Sequence, residues 1–189
     1  RQNGLSSTDG ELLVSELQKL PDLARTILSR RESIQAIAKK YAKVQNAFFL
    51  GRKFQCPIAY EGAIKLKELA YIHAEGYAAG EMKHGPIALI EPSFLSVVLV
   101  PDDSMYEKSK SNIQEIRARG GTVIAITTDG KEDDLKGLAD DVISVPNVHE
   151  ALLPILTTIP VQLFAYYVAL ERGLNIDMPR NLAKSVTVE

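Results

Sequence analysis

The chain has 189 residues, 46% of them hydrophobic and 24% charged, with a formal net charge of −2. That length gives one domain, or one domain with an appendage, and enough apolar content for a real core. The near-neutral balance, at a pI of about 6.0, and the lack of any basic run interleaved with aromatics argue against nucleic acid as the main partner.

A single cysteine, Cys56, leaves no intrachain disulfide and fits a reducing, cytoplasmic setting. The opening RQNGLSSTDGELLVSEL lacks the apolar stretch of a signal peptide. Residues 1–45 read as a helical connector. Leu12, Leu13, Leu17 and Leu20 recur at helical spacing, with Asp9 as the expected cap and Pro21 as the expected stop. Ile27, Ile34, Ile37 and Ala38 then resume the period.

From Asn46 the pattern changes. AFFLG is a short apolar run ending in glycine, and a helix is expected from about Pro57 to His73. FLSVVLV (94–100), TVIAITT (122–128) and DVISVP (141–146) are three further strand runs. SMYEKSKSNIQEIRARG is an amphipathic helix ended by Gly120 and Gly121. β-Branched runs alternating with helices predict an α/β fold over residues 46–176, a parallel sheet sandwiched by helices in the flavodoxin- or Rossmann-like manner. In such sheets ligands bind beyond the carboxyl ends of strands. DGKEDDLKG (129–137) reads as a solvated loop or short surface helix.

Residues 151–170, ALLPILTTIPVQLFAYYVAL, carry no charge over the length of a membrane span. Pro154, Pro160, two threonines and Gln162, with no basic anchors before them, favour a helix buried in a core or subunit interface, and no membrane partner is expected.

The densest chemistry lies in KLKELAYIHAEGYAAGEMKHGP (65–86) and the helix leading into it. At about 100° per residue, Ala59, Ala63, Leu66 and Ala70 gather on one side, and Glu61, Lys65 and Glu68 share the other within about 60°. Two readings stand open. The stripe is an exposed face laced by a Glu61–Lys65 i,i+4 pair, or, because Ile58, Ile64 and Ile72 flank it, a pocket or interface wall where a carboxylate can become a useful base. Gly76, Gly80 and Gly85-Pro86 make 73–86 a long shaped loop. It presents His84 either as a catalytic imidazole or as a solvated one. His73, Glu75, Glu81 and His84 do not match a known ligand spacing, so neither a metal nor another cofactor is expected. Cys56 reads as a small apolar filler.

The tail DMPRNLAKSVTVE (177–189) carries Leu182, Val186 and Val188 behind Pro179, which suggests that it docks. A docked tail would hold Lys184 in place. It is either one surface lysine among many or, partly removed from water, an amine able to form a Schiff base with a carbonyl.

Together, EGAIKLKELAYIHAEGYAAGEMKHGPIALI and the terminal PRNLAKSVTVE closely resemble the C-terminal end of the glucosamine-6-phosphate synthases, the isomerizing glutamine–fructose-6-phosphate aminotransferases. The resemblance runs from about Leu12 to Glu189 and implies a sugar isomerase (SIS) module, the second of two such modules behind a glutaminase domain. It implies conversion of fructose 6-phosphate and glutamine-derived ammonia to glucosamine 6-phosphate. It further implies that Glu68 moves the proton between the first two sugar carbons, that Lys184 forms the Schiff base, and that His84 opens the ring from the neighbouring subunit of a homodimer. Lys65 and Glu61 would line the site and keep it charged and ordered. The departures carry expectations of their own. Cys56 lies mid-chain rather than at an N-terminus, so no glutamine hydrolysis is expected. GRKFQCP after the first strand has no serine or threonine, and GRK stands where GRG is more usual, so weak sugar-phosphate binding is expected of this chain alone. A non-catalytic, phosphosugar-binding regulatory SIS module and a structural dimerisation module are the competing readings.

Overall fold

The computed structural model describes residues 6–182. Two helices lead, α1 (Ser7–Ser29) and α2 (Arg31–Tyr41). The α/β body follows as β1 (Asn46–Gly51), α3 (Cys56–Ala70), β2 (His73–Ala78), β3 (Leu95–Leu99), α4 (Tyr106–Arg117), β4 (Thr122–Thr128), β5 (Asp141–Val145) and α5 (Leu153–Glu171). Every strand pairing is parallel, in the order β2-β1-β3-β4-β5. This is the doubly wound, flavodoxin-like order, with its topological switch point between β1 and β3.

Side-chain alternation builds the two layers. Ala47 and Phe49 of β1 join Val97, Ile124 and Ile126 on one face, covered by Ile34 and Ile37 of α2, Ala63 and Leu66 of α3, and Phe164 and Val168 of α5. Phe48 and Leu50 point the other way, toward Ile113 and Ile116 of α4 and toward Met82 and Ile90. Both faces are covered, which is why the strands read as nearly unbroken apolar runs. The close fit of α3 shows at Gly62, where a Cβ would lie 2.5 Å from the Phe49 ring and 3.2 Å from Val161. Helix α5, uncharged until its last residue Glu171, is a core helix packed between α2 and α3, with Leu156, Val161, Phe164, Ala165 and Val168 buried.

Three expectations need correction. Pro21 does not end the first helix. α1 runs through it because Leu20, Leu23 and Ile27 pack on Val145 and Leu156, a gain that outweighs one missing backbone bond. The break comes at Arg30, whose guanidinium grips Asp129 at 2.6 and 3.0 Å. The cap is Ser6, whose Oγ accepts the Asp9 amide at 3.1 Å, and Asp9 sits in the first turn. Residues 73–78 are not loop but β2, an edge strand lying along β1 from His73 beside Asn46 to Ala78 beside Gly51. Gly76 is required there, since a Cβ would come 2.7 Å from the Tyr60 Cα of α3. The loop proper is reduced to tight turns at Met82–His84 and Pro86–Leu89.

Candidate functional site

α3 crosses from the carboxyl end of β1 back to the start of β2, and its Cys56-Pro57 opening suits a first turn. Glu61, Lys65 and Glu68 share its outer side, as the spacing predicts, but they are half-buried rather than freely solvated. The pairing differs from the i,i+4 expectation. Lys65 Nζ donates to Glu68 Oε2 at 2.7 Å, while Glu61 accepts the Gln162 side-chain amide of α5 at 3.0 Å. The Glu68 hydrogen bond is the main cause that raises the Lys65 pKa above the ordinary lysine value. Partial burial opposes it, and the charges of Glu68 and Glu61 add to it. Lys65 is therefore an ammonium at neutral pH, an electrostatic partner for Glu68 and not a nucleophilic amine. Of the flanking isoleucines, Ile72 is buried and Ile58 packs on the core, leaving Ile64 and its neighbour Tyr60 exposed.

α3 ends at Tyr71, which holds φ 55° and ψ 34° while its amide donates to the Lys67 carbonyl at 3.2 Å. Glycine or asparagine normally takes this left-handed position, which costs other L-residues about 1–2 kcal/mol. The Tyr71 hydroxyl accepts the backbone N–H of Arg180 at 2.7 Å, and the Arg180 guanidinium lies 4.2 Å above its ring. An open cleft of about 280 Å³ results, lined by Lys67, Glu68, Tyr71, Arg180, Asn181 and Leu182. That is just under the ~300–1,000 Å³ of a complete small-molecule pocket. The described part of the tail touches α3 through Arg180, but Leu182, which the docking expectation would bury, is 52% exposed. Lys184 lies outside the described residues. Tyr71 escaped the sequence reading because its partner is 109 positions away and no local pattern marks it.

His84 is not gathered with these groups. It is exposed in its turn, with Nδ1 2.9 Å from Glu81 Oε2. Met82, two residues earlier, is buried in the α4-side layer, whereas Ala63 and Leu66 of α3 belong to the opposite one. Among the described residues no group of three or more His, Cys, Asp or Glu side chains is placed to hold a metal ion.

At the β1/β3 switch point the loop after β1 supplies Lys53, the loop after β3 supplies Ser104, and the segment before α5 supplies Glu150. Lys53 sits at φ 50°, in the region that favours glycine. Its Nζ donates to Ser104 Oγ at 3.0 Å and to Glu150, whose other oxygen accepts the Ser104 amide at 3.1 Å. The chain's own carboxylate thus bridges the crevice where a bound anion is expected in this topology. The Lys53 hydrogen bond, followed by those from Ser104, holds the Glu150 carboxyl down at about 2. A depressed carboxyl contributes stability above its ordinary value and loses that contribution as pH falls toward the depressed one. The gap in Tm between the wild type and Glu150→Gln is accordingly expected to narrow between pH 4.5 and 2. Melts followed by circular dichroism check this, and a constant gap contradicts it.

Comparison with known proteins gives the family. Residues 40–172 match the SIS domain model. The chain belongs to the SIS-domain family. Over 188 residues and its full length, this SIS module is 52% identical to the glutamine–fructose-6-phosphate aminotransferase (isomerizing) of Thermus thermophilus, of which it covers 31%. It is 50% identical over 183 residues, 97% of its length, to the same enzyme of Aquifex aeolicus, again covering 31%. The module thus spans about a third of the curated relatives it matches. It also superposes on the solved C-terminal domain of the Francisella tularensis glucosamine-fructose-6-phosphate aminotransferase. The TM-score is 0.87 at 36% identity, covering 93% of this chain and 49% of that one.

Proposed function

We propose that this SIS module is the isomerase half-site of an aminotransferase that converts fructose 6-phosphate and ammonia to glucosamine 6-phosphate. The observation that carries the reading is the cleft that brings segment 180–182 beside Glu68, with Lys65 held as a cation on that carboxylate. In this reading the Lys184 amine condenses with the ketone of the open-chain sugar and expels water, ammonia replaces the lysine, and Glu68 carries the proton from the first carbon to the second. One residue, Ala183, separates Leu182 from Lys184, so the two steps span at most about 7 Å of chain and the amine is within reach of the cleft. Lys65 steadies the Glu68 carboxylate or the developing oxyanion by charge, and Glu61 reinforces Lys65.

His84 opens the ring in trans. The packing of its turn, through Met82, on the other side of the sheet from α3 and the exposure of His84 itself support supply from the partner subunit of a homodimer. Tyr60 and Ile64, 47% and 41% exposed beside the polar stripe, support an interface there. Leu12, Val14 and Leu17 leave apolar side chains exposed on more than one side of α1, which supports its cover by an upstream SIS module and a glutaminase domain.

The phosphate is held elsewhere in the larger enzyme, because here Glu150 already occupies Lys53 and the Ser104 amide. Calorimetric titration of fructose 6-phosphate into this chain alone is expected to show affinity no tighter than about millimolar. Micromolar binding contradicts the placing of the phosphate site outside this chain.

A further inference from the structure

We propose that Tyr71 is the positioning residue of the site, a clasp that seats the C-terminal segment against Glu68 and thereby sets where the Lys184 amine reaches. The inference rests on the proposed half-site. Stopping α3 does not require a tyrosine. Glycine would take the left-handed position without strain, so the aromatic side chain is kept there against backbone preference. Its use is visible at the other end of the ring. The hydroxyl accepts a main-chain N–H, that of Arg180, so the contact depends on the register of the tail rather than on the side chain at that position. The ring face carries the guanidinium of the same residue, so one side chain fixes Arg180 at two points. Asn181, at φ 63°, turns the chain immediately after the clasp. On the near side, Asn175 Oδ1 accepts the amides of Asp177 and Met178, each at 3.1 Å, closing the turn that brings the chain back from α5. Glu68 is one turn earlier on the helix that Tyr71 ends, and both line the same cleft.

The test uses a full-length aminotransferase carrying this module, fructose 6-phosphate and borohydride. Hydride adds to the C=N bond formed when Lys184 and the ketone lose water, leaving a secondary amine that peptide mass mapping locates. Tyr71→Phe keeps the ring but removes the acceptor, and should slow trapping at Lys184 roughly 5-fold, the scale of one hydrogen bond. Tyr71→Gly removes both contacts and should slow it roughly 10- to 100-fold. Its Tm should change little, because relief of the strained backbone offsets the lost contacts. A purely structural tyrosine predicts the reverse, a lowered Tm with trapping intact. Trapping at the wild-type rate in both variants overturns the clasp. Wild-type trapping in Lys184→Arg instead overturns the half-site reading itself, whatever Tyr71 does. If Tyr71→Gly does not fold, the Tyr71→Phe rate decides.

Discussion

Glu68→Gln in a full-length aminotransferase carrying this module is expected to lower kcat for ammonia-dependent aminosugar formation by about 10²–10⁴-fold, the usual contribution of a positioned acid–base group. The substitution is nearly isosteric, and the amide oxygen can still accept the Lys65 hydrogen bond, so the helix and the cleft should persist. What disappears is a carboxylate able to take a proton from carbon. The effect should therefore fall on kcat with KM little changed, the pattern of an interaction made only in the transition state. Steady-state kinetics with ammonia in place of glutamine measure it without involving any glutaminase step. Retained turnover removes Glu68 from the mechanism.

The second large effect is expected at the tail. Lys184→Arg keeps a positive charge but replaces an amine that can deprotonate with a guanidinium that does not. The covalent adduct with the ketose should vanish, and kcat should fall on the order of 10²-fold or more. Lys65 cannot substitute. Its hydrogen bond to Glu68 raises its pKa and keeps it an ammonium, so the lysine that touches that carboxylate is unsuited to attack a carbonyl. The two substitutions also separate two roles. Glu68→Gln should leave the Lys184 adduct formed and accumulating, whereas Lys184→Arg should prevent it.

How much of this was legible in the sequence depended on whether the deciding interactions were local. The strands β1, β3, β4 and β5 announced themselves as buried apolar runs, because a parallel sheet covered on both faces selects such residues in sequence. β2 did not. HAEGYA contains no valine or isoleucine, and it is a strand because α3 lies across Gly76 and β1 offers it a paired edge, both effects of tertiary structure. Pro21 misled for the same reason, since packing against Leu156 and Val145 carries α1 past a residue that would stop an isolated helix. In the site, the shared face of Glu61, Lys65 and Glu68 followed from the helical period. Which carboxylate takes the lysine did not, because the choice depends on Gln162 reaching Glu61 from α5. The Tyr71–Arg180 contact was invisible for want of any local signal, while the Lys184 that the resemblance singles out in the terminal PRNLAKSVTVE lies outside the described residues.

The account stands on the meeting of two groups from opposite ends of the module, and one measurement addresses it directly. A crystal structure of an intact aminotransferase carrying this module, with open-chain fructose 6-phosphate bound, gives the positions of the Lys184 amine and the Glu68 carboxylate relative to the sugar. The expected result is that the amine lies about 3–3.5 Å from the ketone carbon and the carboxylate the same distance from the adjacent carbon. Finding the two groups on separate surfaces, with the sugar touching only one of them, contradicts it.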